Sequence, residues 1–284
     1  MKKQQYASNE YGLENLPSNR KDQFFDILKH KYKTLLLVGL MCFLFMIPMF
    51  AVHIAFETYF SNVMMSFNVG EISAEQATAA TNTGIVIYCL AQIVGYLVAF
   101  IGLGGGMRII RLLAYNEGIL FWDDFLIGIK QNFKQFLVFA VIFSLGTSAI
   151  YLCKIPKSAV VTGIALGLKF GIINPWIIIT ICYASTYSLS LFKVIKNGFA
   201  LYVKTFLVSL LFSLVTLVYY FLNFIPLLFV ILIIQVLLLI FVLPIFMLGV
   251  YEYMLKVFDV NINSFSHPEL VNKGLFVKEA KKND

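Results

Sequence analysis

Long stretches without a single charge, separated by short clusters of Lys, Arg and aromatic residues, dominate this chain. A helix needs roughly 20 apolar residues to cross a hydrocarbon core of about 30 Å. The pattern predicts spans over approximately 34–56, 83–106, 134–153, 169–191, 203–222 and 226–255. Pro48 is a kink in the first, and residues 57–82 connect it to the second with Glu57, Glu71 and Glu75 but no Lys or Arg. The fourth is set to start at Lys169, because starting it at Ala159 would leave that lysine at mid-bilayer, at about 2.5–3.5 kcal/mol on insertion scales. Asn174-Pro175 reads as a kink within it. Phe206 to Tyr251 is uncharged over 46 residues. As one helix it would be about 69 Å long, so it folds back, with Asn223-Phe-Ile-Pro226 as the turn.

Amphipathic segments lead into the spans. Ser18 or Asn19 can cap a helix starting at Arg20, with Asp22 in its first turn. Phe24, Leu28, Tyr32 and Leu35 recur every three to four residues, and Lys21, Lys29, Lys31 and Lys33 take other positions. That describes a basic helix lying at the interface. Gly102 to Val138 repeats the theme: a glycine-rich end of one span, a basic and aromatic turn, then the next span. There Asp123 or Asp124 can cap the helix. Phe125, Ile129, Phe133 and Phe136 form a stripe, with Lys130 and Lys134 on the polar side. Arg108, Arg111, Trp122, Asp123, Asp124, Phe125, Lys130, Phe133 and Lys134 are the residues expected to anchor this turn or dock a partner. The segment 129–138 is echoed by 195–208 with four extra residues, which suggests two related three-span halves.

The predicted fold class is therefore all-α: a polytopic transmembrane helical bundle of about six spans with interfacial amphipathic helices. A mobile tail over 1–18 precedes a membrane domain over 19–258, and a second tail covers 259–284. The first long apolar run starts near Thr34, too far in and too long for a cleaved leader.

Composition agrees, with 60% hydrophobic and 13% charged residues and a mean hydropathy of +0.84, far from the roughly one-quarter charged content of soluble domains. The net charge of +7 flanks the spans, so its expected partners are the lipid bilayer and its anionic inner-leaflet lipids, not nucleic acid. In a six-span arrangement the bases of the N-terminal region, the 107–134 turn, the 186–204 turn and the C-terminal region share one side. Only Lys154, Lys157 and Lys169 fall on the other. The positive-inside rule then puts both termini in the cytoplasm and the protein in the cell membrane.

Few residues suggest chemistry. Cys42, Cys89, Cys153 and Cys182 stand singly in apolar surroundings, without metal-cluster spacing. Gly102, Gly104, Gly105 and Gly106 lie at the end of a span and not after a strand, so they suit helix packing, as does the Gly163, Gly167, Gly171 repeat. His53 and Glu57 read as a polar cap at the interface. Gln92, Tyr96, Asn174 and Gln235 are the polar groups at depth, fit for interhelical hydrogen bonds or for a polar path. Nothing reactive converges, so no catalytic residue, cofactor or metal is expected. Glu252 and Lys256 form an i,i+4 pair at the inner end of the last span.

The Lys21-Asp-Gln-Phe-Phe-Asp-Ile-Leu28 segment, the Gly102–Arg111 exit, Trp122-Asp-Asp-Phe125, Lys130-Gln-Asn-Phe-Lys-Gln135 and Pro244…Tyr251 together resemble the YesL-like family of bacterial integral membrane proteins, over roughly residues 18–260. The family often carries a Gly-Pro-Ala-type motif where this chain has Gly102-Leu-Gly-Gly-Gly106. The resemblance implies a non-enzymatic role accessory to carbohydrate uptake, with an ABC permease as partner. The alternative from the residues is a small-solute transporter or channel-like protein.

Overall fold

Away from water, every backbone N–H and C=O has to find its partner within the protein, and a helix does this within one segment. The computed structural model describes residues 16–153, 155–156, 158–218, 222 and 228–276, and every regular element among them is helical. The helices are α1 (Arg20–His30), α2 (Tyr32–Asn68), α3 (Ala74–Ala114), α4 (Phe121–Leu152), α5 (Ala159–Leu168), α6 (Asn174–Thr186), α7 (Leu191–Lys204), α8 (Phe206–Val215), α9 (Leu228–Leu237) and α10 (Leu243–Phe258). Five continuous runs are long and apolar enough to cross a membrane: Tyr32–Asn68, Ala74–Ala114, Phe121–Leu152, Ala159–Thr186 and Val230–Ser266. The α7–α8 pair, bent by 98°, makes a sixth if it is counted as one span. This is an integral membrane helical bundle, as the sequence predicts.

The bundle is built around α3, which packs along α2 on one side and α4 on the other. Glycines allow this close approach. A side chain at Gly102 would run into the ring of Phe45, and one at Gly128 would meet Arg108 and the Gly104 carbonyl oxygen. Gly106 faces Cys42, Val38 and Met247. Without a hydrophobic drive between helices, such contacts are a main source of association in lipid.

Two prolines shape the other runs. Pro175 and Pro244 lack the N–H that a helix needs four or five residues back, and the ring crowds the same carbonyl. Both are preceded by a widened π turn, Lys169–Ile173 and Leu238–Val242. Side chains from neighbouring helices then serve the carbonyls left over: Ser213 Oγ donates to Phe170 O at 2.7 Å, and the Tyr202 hydroxyl to Gly171 O at 2.6 Å. At the second turn the Ile240 carbonyl oxygen occupies the place a Gly39 side chain would take.

Several boundaries differ from the sequence reading. Residues 57–82 are mostly helix: α2 runs to Asn68, a tight turn with Gly70 at φ 81° follows, and α3 starts under a capping box in which Ser73 and Gln76 bond each other's backbone N–H. No Gly or Pro lies between residue 56 and Gly70, so nothing stops α2 at 56. The fourth run starts at Ala159, ten residues before Lys169, and buries that lysine inside the bundle. Internal packing removes the exposure to lipid that the insertion cost presumes. Among the described residues nothing lies within 4 Å of a side chain added at Gly163, Gly167 or Gly171, so the repeat is no packing seam with any described element. The fifth segment is bent by 98° at Thr205, whose hydroxyl donates back to Leu201 O; α4, its supposed counterpart, is one unbroken helix from Phe121 to Leu152, so only one of the echoed segments is broken. The turn at Asn223–Pro226, Lys154, Lys157 and the outermost tail residues, Lys2, Lys3, Lys278, Lys281 and Lys282 among them, lie outside the described residues.

The C-terminal region is not a free tail up to Phe276. It continues through Asp259–Asn263, folds back, and donates Phe276 N–H to Pro17 O at 3.0 Å. The helix α1, capped by Asn19, one of the two expected candidates, buries Gln23 and Ile27 against the bundle while Phe25 stays exposed, as does Tyr32 at the start of α2. Its apolar face thus covers protein as well as lipid.

Candidate functional site

Lys169 opens the π turn before Pro175, where the widened backbone turns its side chain inward. It is 2% exposed. Its Nζ donates to the Thr147 hydroxyl of α4, lies 3.5 Å from Phe143 O, and sits 3.8 Å from the centroid of the Phe143 ring. Among the described residues no carboxylate forms an ion pair with it. A hydroxyl and a ring face give an ammonium two neutral partners, one of them cation–π.

This lysine borders a partly open cavity of about 300 Å³ lined by α2, α3, α4, the Ala159–Thr186 run and the last run, with Thr216 just past α8. The volume stands at the lower end of the range of small-molecule sites, about 300–1,000 Å³. The α3 wall runs from Tyr88 to Met107, about 28 Å along the axis at 1.5 Å per residue, so the cavity is a long narrow slot. Its walls are mainly Met, Ile, Leu and Phe. Thr147 and Lys169 lie towards the Tyr88 end, and Tyr96, Thr216 and, from the same run as Lys169, Asn174 add further polar groups to the lining. Asn174 Nδ2 donates to the Thr216 hydroxyl at 3.2 Å, while its Oδ1 is buried without a hydrogen-bond partner among the described residues.

Of the four polar residues predicted at depth, Tyr96 and Asn174 line this cavity. Gln92 does not; its Nε2 donates to Ser148 Oγ at 2.6 Å, an interhelical bond. Gln235 is buried with neither amide atom hydrogen-bonded among the described residues. Lys169 itself was placed at a membrane boundary by its charge, and Thr147 carried no signal. The proline six positions on, with Asn174 just before it, is the feature that could have flagged a broken, inward-facing helix.

The Gly102–Val138 turn comes together differently from its predicted form. Arg108 Nη2 pairs with Asp124 Oδ1 at 3.1 Å, and Asp124 Oδ2 accepts from Leu120 N–H at 2.9 Å, so Asp124 reaches back over the start of α4 instead of capping it from outside. Asp123 is exposed. Arg111 is turned away from this pair and donates to Ser185 O at 2.9 Å, closing the end of α6. Phe125 and Phe136 are fully buried, but Phe133 is exposed and the inward face runs through Gly128 and Asn132 instead. Trp122, Lys130, Phe133 and Lys134 are exposed on the other side of the helix.

At the same end lies a polar clasp that the sequence did not announce. Arg20 reaches the carboxylates of Glu252 at 3.7 Å and Asp259 at 3.4 Å. Gln23 Nε2 donates to Ala114 O at 2.6 Å. Asn263 Nδ2 donates to Asp259 Oδ1, and the Tyr187 hydroxyl to Asn263 Oδ1 at 2.6 Å. Burial pushes the phenols of Tyr115 and Tyr187 above their ordinary range. Glu252 therefore pairs with Arg20, and Lys256 stays exposed; a buried carboxylate takes the nearest buried cation over an exposed lysine one turn on. His53 is buried beside Tyr88, with ring centroids 6.4 Å apart, and is not an exposed interfacial cap.

No family model, no curated protein and no solved structure matches the chain.

Proposed function

We propose that this is a non-enzymatic, multi-pass protein of the cytoplasmic membrane that holds a small solute inside its membrane domain and acts as a carrier or channel-like protein. The observation that carries this is the slot with Lys169 on its wall. An ionisable residue in a spanning segment is expensive and marks a solute or ion path by default. A protein that needed only a packed core would do as well with Leu or Met there. The orientation follows from charge: Arg20, Lys21, Lys29, Lys31, Lys33, Lys130, Lys134, Lys193, Lys196 and Lys204 belong to the end that also carries the described parts of both termini. That end faces the cytoplasm and its anionic lipids.

Ala99 lines the slot, and Ala99→Leu narrows it. Purified wild-type protein should show raised melting temperatures with some members of a library of small amphiphiles, and the variant should lose those shifts. A library that shifts both proteins equally, or neither, would sink the proposal.

An accessory role beside a carbohydrate ABC permease is the second reading. What favours it is the outward face of α4, where Trp122 and Phe133 stand with Lys130 and Lys134. Gentle affinity purification from native membranes separates the two: near-stoichiometric recovery of a permease supports the accessory role, and a solitary protein supports the carrier.

A further inference from the structure

We propose that the slot takes a single-chain anionic amphiphile, with its carboxylate or phosphate headgroup on Lys169 and its alkyl chain along α3; this rests on the carrier reading above. The first argument is charge. Lys169 is buried, and among the described residues its partners are a hydroxyl, a distant carbonyl and a ring face. A buried ammonium offers three N–H donors, and its cost is offset best by an anion. Among the described residues the chain supplies none, so the anion has to come from the ligand.

The second argument is where the charge sits. Thr147 is five residues from the end of α4, about 8 Å along the axis. Tyr151, one turn further, meets Tyr88 with ring centroids 4.9 Å apart. Lys169 thus lies towards the Tyr88 end of the slot, and the opposite end, near Met107, is apolar. A ligand with charge at one end and hydrocarbon over the rest matches that layout. A sugar would need hydrogen bonds along its whole length, and a small hydrated ion would leave the apolar length unfilled. Asn174 Oδ1, buried and without a hydrogen-bond partner among the described residues, lines the same slot and is an acceptor suited to a headgroup hydroxyl.

The test is equilibrium binding of radiolabelled oleate, oleyl phosphate and oleyl alcohol to the purified full-length chain in a neutral detergent. Wild-type protein should bind at least one of the two anions ten-fold or more tighter than the alcohol, and whichever anion shows the preference identifies the headgroup. Lys169→Met should erase that preference while leaving oleyl alcohol within about two-fold, and Lys169→Arg should keep it. Asn174→Asp, which supplies a carboxylate within the slot, should also weaken the anions selectively, and it serves if Lys169→Met does not purify. Equal binding of anions and alcohol in wild type, or a preference that survives Lys169→Met, overturns the anion assignment and leaves the carrier reading standing. Absence of binding for all three ligands overturns this proposal, and the library screen above then decides the carrier reading separately.

Discussion

Arg20, the first residue of α1, places its Nη1 3.7 Å from the carboxylate of Glu252 in α10, and both side chains are almost wholly buried. The contact ties the start of the membrane domain to its last helix. Neither Glu252 oxygen has a hydrogen-bond donor among the described residues, so the charge of Arg20 is its main compensation. Removing one partner of such a pair costs about 3–5 kcal/mol, far more than the net value of the intact pair. Arg20→Ala should therefore lower the melting temperature of the purified protein strongly. Adding Glu252→Gln to it should recover part of the loss, because the orphaned charge is gone. Additive losses in the double variant would show that the pair is not coupled.

Gly39 and Gly163 make a contrasting pair. Ala at 39 would drive a methyl group into the Ile240 carbonyl, whereas Ala at 163 meets nothing within 4 Å. Gly39→Ala should cost stability on the order of 1–3 kcal/mol, as overpacking does. Gly163→Ala should be neutral, or stabilising by about 0.5–1 kcal/mol through the lower entropy cost of Ala in a helix. Thermal melts of the two variants decide this, and the opposite ranking would place the tight helix contact at Gly163 after all.

Tyr202→Phe withdraws the donor from Gly171 O. A buried acceptor left unmatched costs about 1–3 kcal/mol. Pro175→Ala gives the helix back an N–H in this region, so it should suppress much of the Tyr202→Phe defect. A double variant no more stable than Tyr202→Phe alone would mean that Tyr202 acts through packing only.

The proposed orientation can be read by cysteine labelling. Cys42, Cys89 and Cys182 are buried, so Cys153→Ser leaves a low background. Lys134→Cys should react with a membrane-impermeant maleimide only after the cells are opened, and Glu71→Cys should react in intact cells. Reversed labelling would invert the topology and dissociate the basic residues from the inner leaflet.

Arg108→Gln should be mild in comparison with Arg20→Ala. Asp124 still accepts Leu120 N–H and both partners of this pair are partly solvated, where an ion pair contributes about 0–1 kcal/mol. A melting-temperature loss equal to that of Arg20→Ala would make the Arg108–Asp124 contact a second structural clasp.

The sequence by itself determined what depends on local composition. Uncharged runs near the length of a bilayer can only be helices, so the helical bundle and the approximate number of spans were legible from Thr34 to Leu255, and the residue types at Ser18 and Asn19 marked the start of α1. Segment ends were less so, because they depend on neighbours: α2 continues past Glu57 since α3 runs antiparallel beside it, with Tyr59 donating to Ala80 O. Contacts between distant segments were not legible at all. Arg20 and Glu252 sit near opposite ends of the chain, and an i,i+4 partner for Glu252 was the nearest answer that spacing alone offers. Lys169 shows the difference most clearly. A hydropathy scale assigns lysine a cost as though it faced lipid, and on that basis the residue belongs at a boundary. Only the packing of α4 and the turn before Pro175 could decide that its ammonium faces inward, over the Phe143 ring and into a slot, because burial against protein is a property of several helices at once.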